Sequence, residues 1–167
     1  MLLRHTSREL DGVEIMAHNQ AHQLEARDEH YTPKFIFEAL GLTFDIDVAA
    51  PTGGVEWIPA IKHFDEAANG LEQDWHGRIW MNPPYSSPTA WVNKFIEHGN
   101  GIALLVVSRS KWFRDLWAAS DAITLTPYNM KFERPDGHTK QISFQTMLFA
   151  IGEDNAQALH NLGVKIR

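Results

Sequence analysis

Asn82-Pro83-Pro84-Tyr85 is the stretch of this chain whose residue types and spacing point most specifically to chemistry. The two prolines fix φ and remove backbone donors, leaving a rigid turn whose carbonyls and whose Asn82 side-chain oxygen can point outward as acceptors. Tyr85 adds a flat face on which a planar base can stack, a contact worth about 1–3 kcal/mol per base. Acceptors beside a stacking plate suit an amino group on an aromatic ring. Such an amine is a poor nucleophile, because its lone pair is delocalised into the ring. Hydrogen bonds from its N–H groups to Asn82 and to the Pro83 carbonyl would localise that pair and aim it at an electrophilic methyl, with positioning in place of a strong general base. The competing structural role is a stiff loop with Tyr85 as a packing residue.

The elements around the tetrapeptide favour the chemical role. Residues 78–81, Arg-Ile-Trp-Met, read as a strand that runs straight into it, and the prolines end that strand because they cannot donate to a sheet ladder. In an open α/β sheet, ligands bind at the carboxyl ends of strands. Further strands are predicted over 43–50, 102–107, 122–125 and 144–151, the second of them apolar on both faces as a central parallel strand should be. Helices are predicted over 34–40, capped by Thr32 with Pro33 at the first position, over the stretch from Ser87-Pro88 to Gly99, and over 111–119. One helical turn is expected around 55–61, with a short strand near His63-Phe64. Strands alternating with helices give an α/β fold with a mostly parallel twisted sheet. Residues 127–143 join the last two strands, and Pro135-Asp136-Gly137 marks the tip of a hairpin or projecting loop.

At 167 residues, with 44% hydrophobic and 22% charged residues, the chain has the composition and length of one soluble domain. We expect an N-terminal arm or packing helix over 1–29, a catalytic domain over 30–152 and a C-terminal extension over 153–167. No run approaches a membrane span and the first residues lack a signal-peptide stretch, so a cytoplasmic location is the default. The absence of cysteine excludes disulfides, a thiolate nucleophile and a thiolate zinc site. His18 and His22, with Glu25 beyond, have a spacing that could hold a metal on a helix face, but solvated His pairs are commoner and no metal is expected. A net charge of −6 speaks against charge-driven coating of nucleic acid, so any DNA contact must rest on locally concentrated basic residues.

The chain resembles the small phage-type, Dam-like DNA N6-adenine methyltransferases. The resemblance covers about residues 27–152. It is carried, in order, by Arg27-Asp28, Tyr31-Thr32-Pro33, residues 37–40, Asp45-Ile46-Asp47-Val48-Ala49-Ala50, Asn69-Gly70-Leu71, Asp74-Trp75, Trp80 through Ser86, Arg109 through Phe113, and Met147-Leu148-Phe149. It implies a Rossmann-like S-adenosylmethionine-dependent methyltransferase fold with the last strand antiparallel. It also implies S-adenosylmethionine as cofactor, contacted by Tyr31, Thr32, Pro33, Asp47, Val48 and Ala49. The Asp47 carboxylate could meet the methionyl ammonium, while Ala49 and Ala50 leave room for the ligand; as a plain structural feature Asp47 would cap a strand end. Asn69 stands where family members often carry Asp, which shifts weight to Asp74. Asn129-Met130-Lys131-Phe132 replaces the family's Gly-Arg before an aromatic, so sequence preference does not carry over. No glycine-rich loop follows the first strand.

With double-stranded DNA as substrate, the target adenine must be flipped out of the stack to reach Tyr85. Arg109, Lys111, Lys131, Arg134 and Lys140, with His138, are the candidates for phosphate and base contacts, each being as readily a solvated surface charge. Trp112 fits the core better than a nucleic-acid contact. The alternatives are the same transfer to cytosine N4, an RNA adenine or a protein glutamine, and a non-catalytic nucleic-acid-binding module on the same fold. A dinucleotide oxidoreductase ranks last, because no Gly-x-Gly-x-x-Gly follows a strand.

Overall fold

The computed structural model describes residues 30–162. Its centre is a six-stranded sheet in the order β2-β1-β3-β4-β8-β5, where β1 is Phe44–Asp47, β2 Ala60–His63, β3 Ile79–Met81, β4 Gly101–Val106, β5 Ala122–Leu125 and β8 Thr146–Ile151. Strands β2, β1, β3 and β4 pair in parallel, and β8 runs antiparallel between β4 and β5. The expected mostly parallel α/β sheet with an antiparallel last strand is therefore present. Its order reverses at β1, whose chain continues to β2 on one side and whose other neighbour is β3. That makes the carboxyl ends of β1 and β3 the switch point where such sheets bind ligands.

Helices cover both faces, which explains why the inner strands are apolar throughout. Helices α2 (Thr89–His98) and α3 (Lys111–Ala119) pack Val92, Phe95, Trp112 and Leu116 against Ala103, Leu105, Met147 and Phe149. On the opposite face, α1 (Lys34–Leu40) and α4 (Glu153–Leu159) set Ile36, Phe37, Leu40, Ala158 and Leu159 against Trp80, Ile102, Leu104, Leu148 and Ala150. Alternate residues of β4 and β8 thus go to opposite layers, as the two-residue period of a strand requires. Pro33 itself, with φ −66° and ψ 147°, holds the cap position of α1, one residue later than expected. Trp112 lies in the core.

Several boundaries differ from the sequence expectation, among them the end of β1, which stops at Asp47 and not at Ala50. Ala60 and Ile61 belong to β2 and not to a helical turn; β2 is the sheet's edge, and Ile61 stands 83% exposed there, so the usual alternation of a half-buried strand is missing. Phe144 lies outside β8, which starts at Thr146. Residues 127–143 carry the short hairpin β6 (Phe132–Glu133) and β7 (Thr139–Lys140), with Pro135-Asp136-Gly137 at its tip. The first strand of that hairpin is stitched to the segment before α1: the Tyr31 and Glu133 backbones exchange N–H···O bonds of 2.9 and 3.0 Å. No helix among the described residues is long and apolar enough to cross a membrane. His18, His22 and Glu25 lie outside the described residues.

Candidate active site

Asn82 follows β3 directly, so its position is set by a fully buried strand. Its carboxamide is held from both ends. Nδ2 donates to the His30 carbonyl at 2.6 Å and approaches Thr32 Oγ1 at 3.5 Å, while the Tyr85 hydroxyl donates to Oδ1 at 2.9 Å. The sequence suggested an outward-pointing acceptor; in the free protein that oxygen is already engaged by Tyr85. A carbonyl oxygen has two lone pairs, so Oδ1 keeps one for a ligand N–H. The bond from Tyr85 also sets its direction. The Tyr85 ring stacks with His30 at 5.8 Å and 21° and meets the edge of Phe144 at 6.4 Å and 79°. His30 and Phe144 were not found by sequence reasoning. Neither lies in a motif, and both are brought to Tyr85 by folding alone.

Beside this carboxamide opens a cavity of about 630 Å³ lined by His30, Tyr31, Asp47, Ala49, Asn69 and Asn82, among others. Its volume lies in the range of small-molecule and cofactor sites. Asp47, at the end of β1, is only 3% exposed, and its Oδ1 accepts the Ala49 N–H at 3.3 Å. Burial drives its carboxyl up to about 7, with the Ala49 bond pulling weakly the other way. Among the described residues it has no ion-pair partner. A desolvated acid at the floor of a cavity, lacking a protein cation, is a site that a cationic ligand would complete.

The facing wall is the loop after β2. Asp65, Glu66, Asn69 and Gly70 line the cavity, and Trp91 of α2 closes it from the side. Gly70 is required where it stands, since a Cβ there would run into the Val48 carbonyl oxygen. The loop is clasped from α2: Lys94 Nζ donates to the carbonyls of Leu71 (2.8 Å), Gln73 and Gly70 (3.4 Å) and sits 4.9 Å over the Trp75 ring. Trp75 Nε1 donates to Gly70 O at 2.8 Å. Asp65, Glu66 and Trp91 carried no recognisable signal in the sequence.

Of the residues expected at a cofactor, Tyr31, Asp47, Ala49 and Asn69 come together around the cavity. Thr32 is buried behind it, its carbonyl accepting Trp57 Nε1 at 2.8 Å. Val48 is in the core, Pro33 starts α1, and Asp74 is exposed beyond the cavity wall. Within the tetrapeptide, Pro84 joins Asn82 in the cavity lining while Pro83 is buried. Of the basic candidates, Arg109 and Lys111 follow β4 at its carboxyl end; Arg109 is exposed, and Lys111 pairs with Asp115 at 2.6 Å. Lys131, Arg134 and Lys140 sit on the hairpin, with Lys131 and Lys140 exposed.

Comparison with known proteins agrees with this geometry. A model of the DNA N-6-adenine-methyltransferase (Dam) family matches residues 20–153. The chain is 34% identical over 95 residues to a DNA N-6-adenine-methyltransferase of Haemophilus phage HP1 (strain HP1c1), a match covering 52% of this chain and 55% of that protein. It is 33% identical over 79 residues to one of Escherichia phage T1, covering 43% of this chain and 32% of that protein. The matched region thus spans about half the length of the first relative and about a third of the second. With four-fifths of its length under the family model and the expected fold around Asn82 and Asp47, the chain belongs to the DNA N-6-adenine-methyltransferase (Dam) family.

Proposed function

We propose that this protein is an S-adenosylmethionine-dependent methyltransferase acting on N6 of adenine in DNA, with Asn82-Pro83-Pro84-Tyr85 as its catalytic element. The observation that carries the proposal is the fixed Asn82 carboxamide beside a cavity whose floor is a buried, cation-deficient Asp47. S-adenosylmethionine fits that cavity by charge: its methionyl ammonium would be the cation Asp47 lacks, and Asp65 and Glu66 offer acceptors for ribose hydroxyls. When bound it supplies a methyl group on a sulfonium, ready for displacement. Tyr31, Ala49 and Asn69 shape the remaining wall, whereas Thr32, Pro33 and Val48 support it from behind.

The target adenine must leave the duplex to reach the site. Tyr85 and Phe144 form an aromatic corner for its ring. Asn82 Oδ1 and the Pro83 carbonyl would accept its two N6 hydrogens and so turn the nitrogen lone pair out of conjugation. Asn82 Oδ1 would hold the N6 proton that becomes surplus once the nitrogen takes the methyl from the sulfonium, which would depart as a thioether, and that proton would then pass to solvent. Positioning is most of the catalysis, since no base stronger than an amide is required. Arg109, Lys111 and the hairpin's Lys131, Arg134 and Lys140 would hold phosphates at the mouth.

The test is to express the chain in cells lacking their own adenine methylation and to sequence their DNA for modified bases, beside an Asn82→Ala control. The proposal expects N6-methyladenine with the wild-type chain alone. Modification at cytosine only, or on RNA or protein only, would replace it with one of the other amino-group substrates.

A further inference from the structure

A second pocket, of about 170 Å³, opens at the same carboxyl edge of the sheet, where β5 ends and the antiparallel β8 begins. It is lined by Thr126, Tyr128, Met130, Gln141, Phe144 and Gln145, among others. It is far smaller than the 630 Å³ cavity and lacks a buried charge, so it suits a planar heterocycle and not a second nucleotide cofactor. Three observations define what it can bind. Tyr128 is 87% exposed and Phe144 50%, so two aromatic faces stand in water at its rim. Phe144 also touches the edge of Tyr85, so the pocket adjoins the catalytic turn.

Gln145 supplies the third. Its Nε2 donates to the Thr146 carbonyl at 2.8 Å and to Thr126 Oγ1 at 3.3 Å. A carbonyl can only accept, so the amide orientation is fixed and both of its hydrogens are taken. What Gln145 offers a ligand is therefore its oxygen, a single acceptor. The Thr126 hydroxyl is locked in turn, within 2.7 Å of Thr146 Oγ1 and 3.1 Å of the Thr146 carbonyl. This is an oriented acceptor in a pocket that Tyr128 and Phe144 also line, beside a hairpin carrying Lys131, Arg134 and Lys140.

We infer that this pocket is a nucleobase subsite that takes one base of the DNA next to the methylated adenine, with Tyr128 stacking on it and Gln145 Oε1 accepting from its exocyclic amine. The inference rests on the DNA-adenine function proposed above and adds to it the means of sequence selection. On the major-groove edge of a base, an acceptor at this position matches the amino groups of adenine and cytosine and is mismatched to the carbonyl oxygens of guanine and thymine. The chain should therefore favour adenine or cytosine at one position near its target.

The experiment uses the purified full chain on a pool of DNA duplexes with a central adenine and randomised flanks, followed by sequencing of the methylated molecules. For the wild type, one flanking position should show adenine or cytosine over guanine and thymine by about tenfold, the scale of one good base contact. Gln145→Ala should flatten that position to within about twofold and leave the others unchanged. Tyr128→Ala, at a side chain that supports nothing else in the fold, should raise KM for DNA by about tenfold or more with kcat and cofactor Kd unchanged. An unchanged profile in Gln145→Ala, or an unchanged KM in Tyr128→Ala, overturns the subsite while leaving the methyltransferase intact. A wild-type chain that methylates no DNA would instead overturn the function on which the subsite rests.

Discussion

The two halves of the sheet's carboxyl edge are built in opposite ways. Around β1 and β3, Asp47 and Asn82 stand at buried strand ends, Asp47 accepting the Ala49 N–H and Asn82 held by short hydrogen bonds at both ends of its carboxamide, and both line a large cavity. Around β5 and β8, Tyr128, Phe144 and the basic hairpin stand exposed on irregular segments beside a small pocket. Under the proposed function, the difference separates chemistry from recognition. A reaction common to many substrates demands a rigid frame, whereas contacts with a particular duplex sit on loops that can vary without disturbing that frame. The bridge between Tyr31 and Glu133 joins the halves, since the segment that pins Asn82 through the His30 carbonyl is the one paired with the hairpin.

The contrast is open to direct attack. The largest effect belongs to Asn82→Ala, which removes the acceptor aimed at N6 without touching the cavity floor. Methyl transfer should fall by about a thousandfold, the scale of losing one preorganised transition-state hydrogen bond, while cofactor Kd stays within a few-fold. Parallel loss of cofactor binding, measured by calorimetry, would show that the two functions are not separable along this edge.

Next comes Asp47→Asn. The variant leaves the ammonium without its anion, so cofactor affinity should drop by about a hundredfold, in line with breaking a buried charge pair. Its stability should move the other way. Because folding raises this carboxyl from 3.8 to about 7, its ionisation favours the unfolded chain: the penalty is absent below 3.8, grows as pH rises to 7 and is complete above that. The ligand-free Asn variant should therefore melt higher than wild type at pH 8 and no higher at pH 4. A lower melting temperature at pH 8 would remove Asp47 from the role of a charge kept for a ligand.

The same shift gives a smaller, reversible effect in the unmodified protein. The ammonium needs the ionised carboxylate, so cofactor Kd should be flat above about pH 7 and weaken by up to about tenfold per unit below it. Titrations across pH 5.5–7.5 would expose a flat profile if burial did not control this group. The smallest effects belong to the hairpin. Lys131→Gln or Lys140→Gln should weaken DNA binding a few-fold at moderate salt, lower the slope of log K against log salt by about 0.9 for each phosphate no longer neutralised, and leave cofactor Kd alone.

The same division explains what could be read from sequence. Asn82 and the strand leading to it were legible because a strand buried on both faces reads as a short apolar run and a proline pair ends it at a defined point, whereas Asp47 was marked by the family resemblance. The carboxyl ends of β1 and β3 then follow from sheet topology. His30, Phe144, Asp65, Glu66 and Trp91 were not legible, because each reaches its place through contacts between segments far apart in the chain. Phe144 is instructive: it continues the apolar pattern of β8, and only the observed start of that strand at Thr146 frees it to face Tyr85. Asp74 illustrates the converse, a charge that fits a motif by spacing yet stands exposed outside the cavity.

Nucleoside analysis of DNA incubated with the purified chain and S-adenosylmethionine carrying an isotopic methyl tests the central claim most directly. Label should appear in N6-methyladenine with the wild-type chain and vanish with Asn82→Ala. Label in N4-methylcytosine instead, or equal labelling by the two proteins, would contradict the assignment of Asn82-Pro83-Pro84-Tyr85 to adenine methylation.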